Sequence, residues 1–220
     1  MISVSSLEKG HGGRTLFRDV SFRLLPGRRI ALVGGNGVGK TTILEIVVGH
    51  QRADAGEVHR TKDLTVGYLP QDLTDEVNDT VLAHVMAGAG ELAGMEEELR
   101  SLEADMASPD AAKAEAALDA YGEISTRFEA AGGYQLEAEA QRVLAGLGFK
   151  PSDANRSVSE LSGGWRMRAT LGQLLLAKPE VLVLDEPTNH LDVDSVTWLE
   201  EQLAAWPGSI LFVSHDRDFI

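Results

Sequence analysis

An α/β fold interrupted by an inserted helical segment is predicted from three observations. The short apolar runs Ile30–Val33, Val181–Leu184 and Ile210–Val213 have the length and continuity of strands buried on both faces. A glycine-rich loop joins the first run to the helical pattern Thr41–Val48, which is the start of an α/β unit. Between residues 75 and 156 the composition changes to Ala, Glu and Leu at helical spacing.

In chain order, the first 70 residues read as strands and turns. Val20–Leu25 alternates apolar and polar residues and breaks at Pro26-Gly27, and Gly67–Pro70 ends another extended piece. Leu92, Met95, Leu99, Leu102 and Met106 then alternate three- and four-residue spacing, and Ala114, Leu118, Tyr121, Ser125 and Phe128 repeat it. This predicts two antiparallel helices packed along those stripes, with a tight turn at Ser108-Pro109-Asp110 and Pro109 in the first turn of the second helix. Gly132-Gly133 closes the hairpin, and a third helix is expected from Gln135 to Leu147. After Pro151 the α/β texture returns, with helices over Leu161–Ala177 and Val193–Ala205.

Composition narrows the function classes. There is no cysteine, which excludes disulfides and thiolate metal sites. No apolar run approaches the roughly 18–20 residues that span a bilayer. Met1–Lys9 lacks a basic stretch followed by an apolar one, so no signal peptide and a cytoplasmic location are expected. The net charge is −14, and it is concentrated: Asp72–Asn155 holds 18 acidic against 5 basic residues. Such a surface repels phosphate backbones and gives no nucleic-acid footprint.

Three stretches carry chemistry. Gly34-Gly35-Asn36-Gly37-Val38-Gly39-Lys40-Thr41 fits the phosphate-binding pattern GxxxxGK[ST] and sits between a strand and a helix, as that loop requires. Its glycines let backbone N–H groups approach phosphates, the helix start favours the same anion, Lys40 reaches the β- and γ-phosphates, and the Thr41 hydroxyl suits Mg²⁺. Val181–Glu186 ends a buried strand in two carboxylates, where open α/β sheets bind ligands. Asp185 there suits Mg²⁺, and Glu186 suits a general base acting on water. Leu161-Ser162-Gly163-Gly164 opens a helix, either as a second anion-binding helix start or as an ordinary serine cap with a glycine turn. Two further residues follow extended runs: Gln71, whose amide can ligate Mg²⁺ or orient water, and His215, placed to touch a γ-phosphate or to serve the structure alone.

In this order, Gly34–Thr42 (Walker A), Gln71 (Q-loop), Leu161–Gly164 (signature), Val181–Glu186 (Walker B), Leu191-Asp192 (D-loop) and His215 (switch) resemble the nucleotide-binding domain of ATP-binding cassette (ABC) proteins over nearly the whole chain. The stretch Asp185–Asp192, DEPTNHLD, together with LSGGWRMR at 161–168 and SHDRD at 214–218, is similar to the ABC-F class. The resemblance implies a P-loop NTPase fold with an antiparallel β subdomain and an inserted α-helical subdomain carrying a short hairpin arm. The expected division is a core of 1–74 and 157–220, with the helical subdomain at 75–156 continuing into the signature helix 161–177.

The resemblance also implies ATP and Mg²⁺ as ligands. Gly34, Gly35, Asn36, Gly37, Val38, Gly39, Lys40, Thr41 and Thr42 would hold the phosphates, and Thr41, Gln71 and Asp185 the metal. Glu186, Gln71 and His215 would serve hydrolysis. Ser162, Gly163 and Gly164 would close over ATP held by a second cassette, from the same longer chain or a second copy. His11 stands where the family has an aromatic residue against adenine, and its smaller ring stacks less strongly. The family carries further strands and a second cassette, so residues 1–220 are expected to be the N-terminal part of a longer protein. Characterised ABC-F members act on the ribosome, which makes a ribosomal partner, without membrane insertion, the expectation. The alternative is an ATPase subunit that energises a membrane permease. The hairpin is too short for the coiled coil of a DNA-repair ATPase, and its acidity departs from arms that touch RNA.

Overall fold

A computed structural model describes residues 1–73 and 78–214. β1 (Ile2–His11) turns through Gly12 and Gly13 into β2 (Arg14–Leu24), pairing Ile2 with Leu24 and His11 with Arg14. Both turn glycines have positive φ, 57° and 81°, which suits the twist of a two-residue hairpin. The alternating run Val20–Leu25 is therefore the second half of a longer strand. β3 (Arg29–Leu32) leads through the glycine-rich loop into α1 (Lys40–Val48), and β4 (Ala55–Arg60) pairs antiparallel with β1. The antiparallel sheet has the order β2-β1-β4.

β5 (Val66–Leu69) begins the second layer's far edge. α2 (Val81–Met86), capped by the Thr80 side chain, α3 (Glu91–Met106), α4 (Ala111–Ala130) and α5 (Leu136–Gly146) follow, and α6 (Gly163–Ala177) precedes β6 (Val181–Asp185). α7 (Val193–Ala204) and β7 (Ser209–Val213) complete the described chain. The second sheet is parallel, in the order β3-β7-β6-β5. Its registers align Leu32 with Val213, Asp185 with Val213, and Leu69 with Leu184, so all four strands end along one edge.

Every residue of β6 and β7 is buried, as their apolar runs predict. The reason is that both faces of the sheet are covered. Val181, Val183, Leu211 and Val213 pack with Ile43, Leu44 and Val47 of α1 and with Val4 and Leu7 of the antiparallel sheet. Their neighbours Leu182, Leu184, Ile210 and Phe212 pack instead with Leu171 and Leu175 of α6 and Leu199 and Leu203 of α7. β3 forms as a strand and is less covered among the described residues. It lies at one side of that sheet among the described residues, with β5 at the other; Arg29 and Ala31 are exposed, and Val33 beyond it is 65% exposed.

The helical hairpin forms as predicted, with one register corrected. Leu99, Ile124 and Phe128 are buried at its centre, with Leu92, Met95, Leu102 and Tyr121 around them. On α4 the buried stripe runs Ala117, Tyr121, Ile124, Phe128, and Leu118 is 56% exposed. The predicted stripe through Leu118 and Ser125 lies one position off, because both choices share Tyr121 and Phe128 and only the second buries Ile124. Pro109 stands just before the helix rather than in its first turn; Asp110 is the cap, accepting from the Ala112 and Lys113 backbone N–H groups.

Candidate functional site

The loop between β3 and α1 is built from conformations that only glycine accepts easily. Gly37 and Gly39 have φ of 74° and 94°. A Cβ on Gly39 would lie 2.8 Å from the Phe17 ring, so that glycine also sits where the first hairpin closes on the loop. No side chain caps α1, and its first turn carries no acid. The helix start thus presents N–H groups and positive dipole to an anion. Lys40 is buried, and its ammonium donates to the carbonyls of Gly34 at 2.9 Å and Gly35 at 3.0 Å, which holds the side chain along the loop.

Asp185, the last residue of β6, is 2% exposed, and neither of its carboxylate oxygens has a hydrogen-bond partner. Burial pushes its pKa above the ordinary value; the Thr41 hydroxyl opposes that, the Glu186 charge adds to it, and Lys40 opposes it. A buried carboxylate without a partner beside a hydroxyl fits Mg²⁺, which takes one or two protein ligands and completes its shell with water and phosphate oxygens. Among the described residues no cluster of three acidic, His or Cys side chains offers a protein-only cage.

Glu186 adopts a left-handed backbone, φ 50°, unusual for a residue with a side chain. Its N–H donates to the Val213 carbonyl at 3.0 Å and its Oε2 accepts from the Asn189 amide, so the turn after β6 is tied at both ends. Glu186 faces a cavity of about 560 Å³ that is also lined by Lys40, Thr41, Thr42, Asn36, Gly37 and Gly39. Gln71, two residues past β5, and His11, at the end of β1, reach the same cavity. The alignment of strand ends brings these distant residues together.

Several expected residues stand elsewhere. Ser162, Gly163 and Gly164 form the start of α6 and do not line this cavity; the Ser162 side chain caps nothing and a Cβ on Gly163 would meet open space. His215 lies outside the described residues. Leu16, which lines the cavity, had no signal in the sequence, because only the hairpin brings it over the loop. Asn189 was legible as part of the stretch 185–192 but not as the partner of Glu186.

A second connection runs behind the turn. Arg168 of α6 is buried and donates to the carbonyls of His190 at 2.8 Å and Leu147 at 3.0 Å, and to Asp192 at 2.9 Å, with its guanidinium 4.5 Å from the centroid of the Trp165 ring. Asp192 caps α7 by accepting from the Ser195 N–H at 3.0 Å. That backbone hydrogen bond and then Arg168 hold its pKa down to about 2.

A parallel sheet in which β3 feeds a glycine-rich loop and an uncapped helix, with a buried carboxylate at the end of β6, two strands away along the same edge, defines a P-loop nucleotide-binding protein. The family model described as ABC transporter matches residues 17–189, and the chain belongs to that family. Relatives that it matches include proteins of the ABC-F type. It is 39% identical over its whole length to the tylosin resistance ATP-binding protein TlrC of Streptomyces fradiae, covering 40% of that protein. It is 34% identical over its whole length to ABC transporter F family member 5 of Arabidopsis thaliana, covering 32%, and 35% identical over 99% of its length to the energy-dependent translational throttle protein EttA of Mycobacterium tuberculosis, covering 38%. The chain thus spans between about a third and two fifths of these relatives. Among solved structures, a dimeric ATP-binding cassette, MJ0796, bound to ADP and phosphate superposes with a TM-score of 0.65 at 18% identity over 98% of this chain and 88% of that one, which shows the fold.

Proposed function

We propose that residues 1–220 are an ATP-hydrolysing cassette of an ABC-F protein that works on the ribosome, with two cassettes enclosing each ATP. The observation that carries this reading is the division of the site. Lys40, Thr41, Thr42, Gln71 and Glu186 share one cavity, with Asp185 buried beside Thr41, whereas the helix start Ser162–Gly164 stands outside it. The α1 N–H groups and Lys40 bind the β- and γ-phosphates. Asp185, Thr41 and Gln71 hold Mg²⁺, which when bound offsets the phosphate charge. Glu186, fixed by Asn189, takes a proton from water as the water oxygen bonds to the γ-phosphorus and the bond to the β–γ bridging oxygen breaks, giving ADP and phosphate. His11 and Leu16 border the space left for the base. The uncapped start of α6 meets the γ-phosphate of ATP held by a second cassette, and His215 joins that closed site. The core 1–74 and 157–220 then moves against the helical subdomain 75–156. Support for the ribosome comes from the likeness to EttA, an energy-dependent translational throttle protein. A cytoplasmic location follows from the same reading.

The test is Glu186→Gln in the full chain. ATP binding should persist within about twofold, turnover should fall at least about 100-fold, and the protein should sediment with ribosomes in an ATP-dependent way. Turnover equal to the unmodified protein removes Glu186 as the base. Recovery with membranes instead of ribosomes favours a permease-coupled ATPase. For residues 1–220 alone, turnover should be weak and rise with the square of protein concentration, since two copies must meet to complete a site.

A further inference from the structure

Between the α3–α4 hairpin and the start of α5 lies a further concave site that shares no lining residue with the nucleotide cavity. A groove of about 320 Å³ is lined by Leu99 and Phe128, both buried, and by Tyr121, Tyr134, Glu103 and Glu137. Tyr134 is 65% exposed, yet it is held in place: its ring meets Phe128 edge-on at 5.4 Å and its hydroxyl lies 3.3 Å from Ser125 Oγ. The Tyr121 hydroxyl donates to Glu103 at 3.2 Å. An exposed aromatic ring fixed beside carboxylates is a surface that receives a cation.

The charge around the groove points the same way. Residues 91–137 contain twelve acidic and three basic side chains. Each of the three bases is already paired within the hairpin, Arg100 with Glu96, Lys113 with Asp105 at 2.7 Å, and Arg127 with Glu91 at 3.3 Å. Arg100 and Glu96 border the groove as such a pair. The hairpin therefore has no unpaired cation to offer a phosphate backbone, and among the described residues Glu103 and Glu137 carry no ion pair. A nucleic acid is repelled here, and a basic protein segment is attracted.

We infer that this groove docks a lysine- or arginine-bearing segment of a protein partner, with the cationic side chain against Tyr134, Glu103 and Glu137 and its aliphatic stem over Leu99 and Phe128. The inference does not rest on the hydrolytic reading of the nucleotide site. Within a ribosomal setting it means that this arm meets a basic protein chain rather than RNA.

The experiment uses the full chain and a fluorescein-labelled ten-residue peptide of alternating Lys and Arg, followed by anisotropy at about 100 mM salt, with a 20-nucleotide RNA hairpin as the second probe. Glu103→Gln with Glu137→Gln should weaken peptide binding about tenfold, and Tyr134→Ala about two- to fivefold, the size of an exposed cation–π contact. Glu115→Gln with Glu123→Gln removes the same charge from α4 outside the groove and should change binding less than twofold. ATP binding, measured on each variant, should stay within twofold, which separates loss of the groove from loss of the fold. If the two charge pairs weaken the peptide equally, the attraction is diffuse and the groove is not a site. Absence of peptide binding to the unmodified protein, or RNA binding that the groove variants abolish, equally overturns the inference.

Discussion

The guanidinium of Arg168 lies 2.9 Å from Asp192 Oδ2, an ion pair that ties the signature helix α6 to the loop leaving β6. The same guanidinium also satisfies the carbonyls of His190 and Leu147, so one side chain joins three segments of chain. Arg168→Ala would leave the buried Leu147 carbonyl and the part-buried His190 carbonyl without that donor, while Asp192, 58% exposed, turns to water. The expected loss is about 1–3 kcal/mol in chemical denaturation. Arg168→Lys should recover only part of it, because one ammonium cannot reproduce a planar fork. The 186–192 turn should loosen in both variants, lowering turnover more than ATP affinity.

Asp192 gives that connection a pH limit. Its folded pKa, about 2, lies below the ordinary carboxylate value of 3.8. A depressed carboxylate contributes stability that is full above the unfolded pKa and disappears as pH falls through the folded one. Thermal unfolding followed from pH 5 down to pH 2 should therefore show a progressive loss, and Asp192→Asn should flatten that part of the curve. A profile unchanged by the substitution would mean the ion pair adds nothing measurable.

Asp185 should behave in the opposite sense. Its pKa is raised, so the ionised form costs stability above the folded pKa, and the cost vanishes below the unfolded one. Without nucleotide and metal, Asp185→Asn should hold or raise stability at neutral pH by about 1–2 kcal/mol, since it replaces a buried carboxylate that lacks a partner. Its Mg²⁺-dependent gain in ATP affinity should be lost. Chelation with EDTA should lower the affinity of the unmodified protein and leave the variant almost unchanged. Equal effects of metal on both proteins would remove Asp185 as the ligand.

These contrasts show where sequence suffices and where it does not. β6 and β7 were legible because both sheet faces are covered, and burial on two faces leaves an unbroken apolar run. The phosphate loop was legible because glycine is needed at fixed offsets by backbone geometry. Leu16 and the reach of Arg168 were not, since each depends on segments brought together only by the fold: the β1–β2 hairpin for one, and Leu147, His190 and Asp192 for the other.

Two glycines of the loop should respond unequally to alanine. At Gly37 a methyl group meets nothing within 4 Å, so only the left-handed backbone is strained, at about 1–2 kcal/mol. At Gly39 the same strain is joined by a clash with the Phe17 ring at 2.8 Å and with Leu16 at 3.3 Å. Overpacking adds about 1–3 kcal/mol. Gly39→Ala should thus be the more destabilising in denaturant titration and should weaken ATP more, because the displaced loop carries Lys40. Equal losses would mean the hairpin yields without resistance.

The corrected register of α4 makes a separate prediction for the arm. Ile124 is 9% exposed between Leu99 and Phe128, whereas Leu118 is 56% exposed. Removing a buried isoleucine side chain costs about 2–5 kcal/mol, and truncating an exposed leucine usually stays within about 0.5 kcal/mol. The hairpin opens locally, so the sensitive measurement is amide hydrogen exchange along 91–130 rather than global unfolding. Ile124→Ala should speed exchange throughout both helices by about 30-fold or more, and Leu118→Ala should leave it nearly unchanged. The reverse pattern would restore the stripe through Leu118 and Ser125, and with it a hairpin whose exposed face, including the groove at Tyr134, is differently placed.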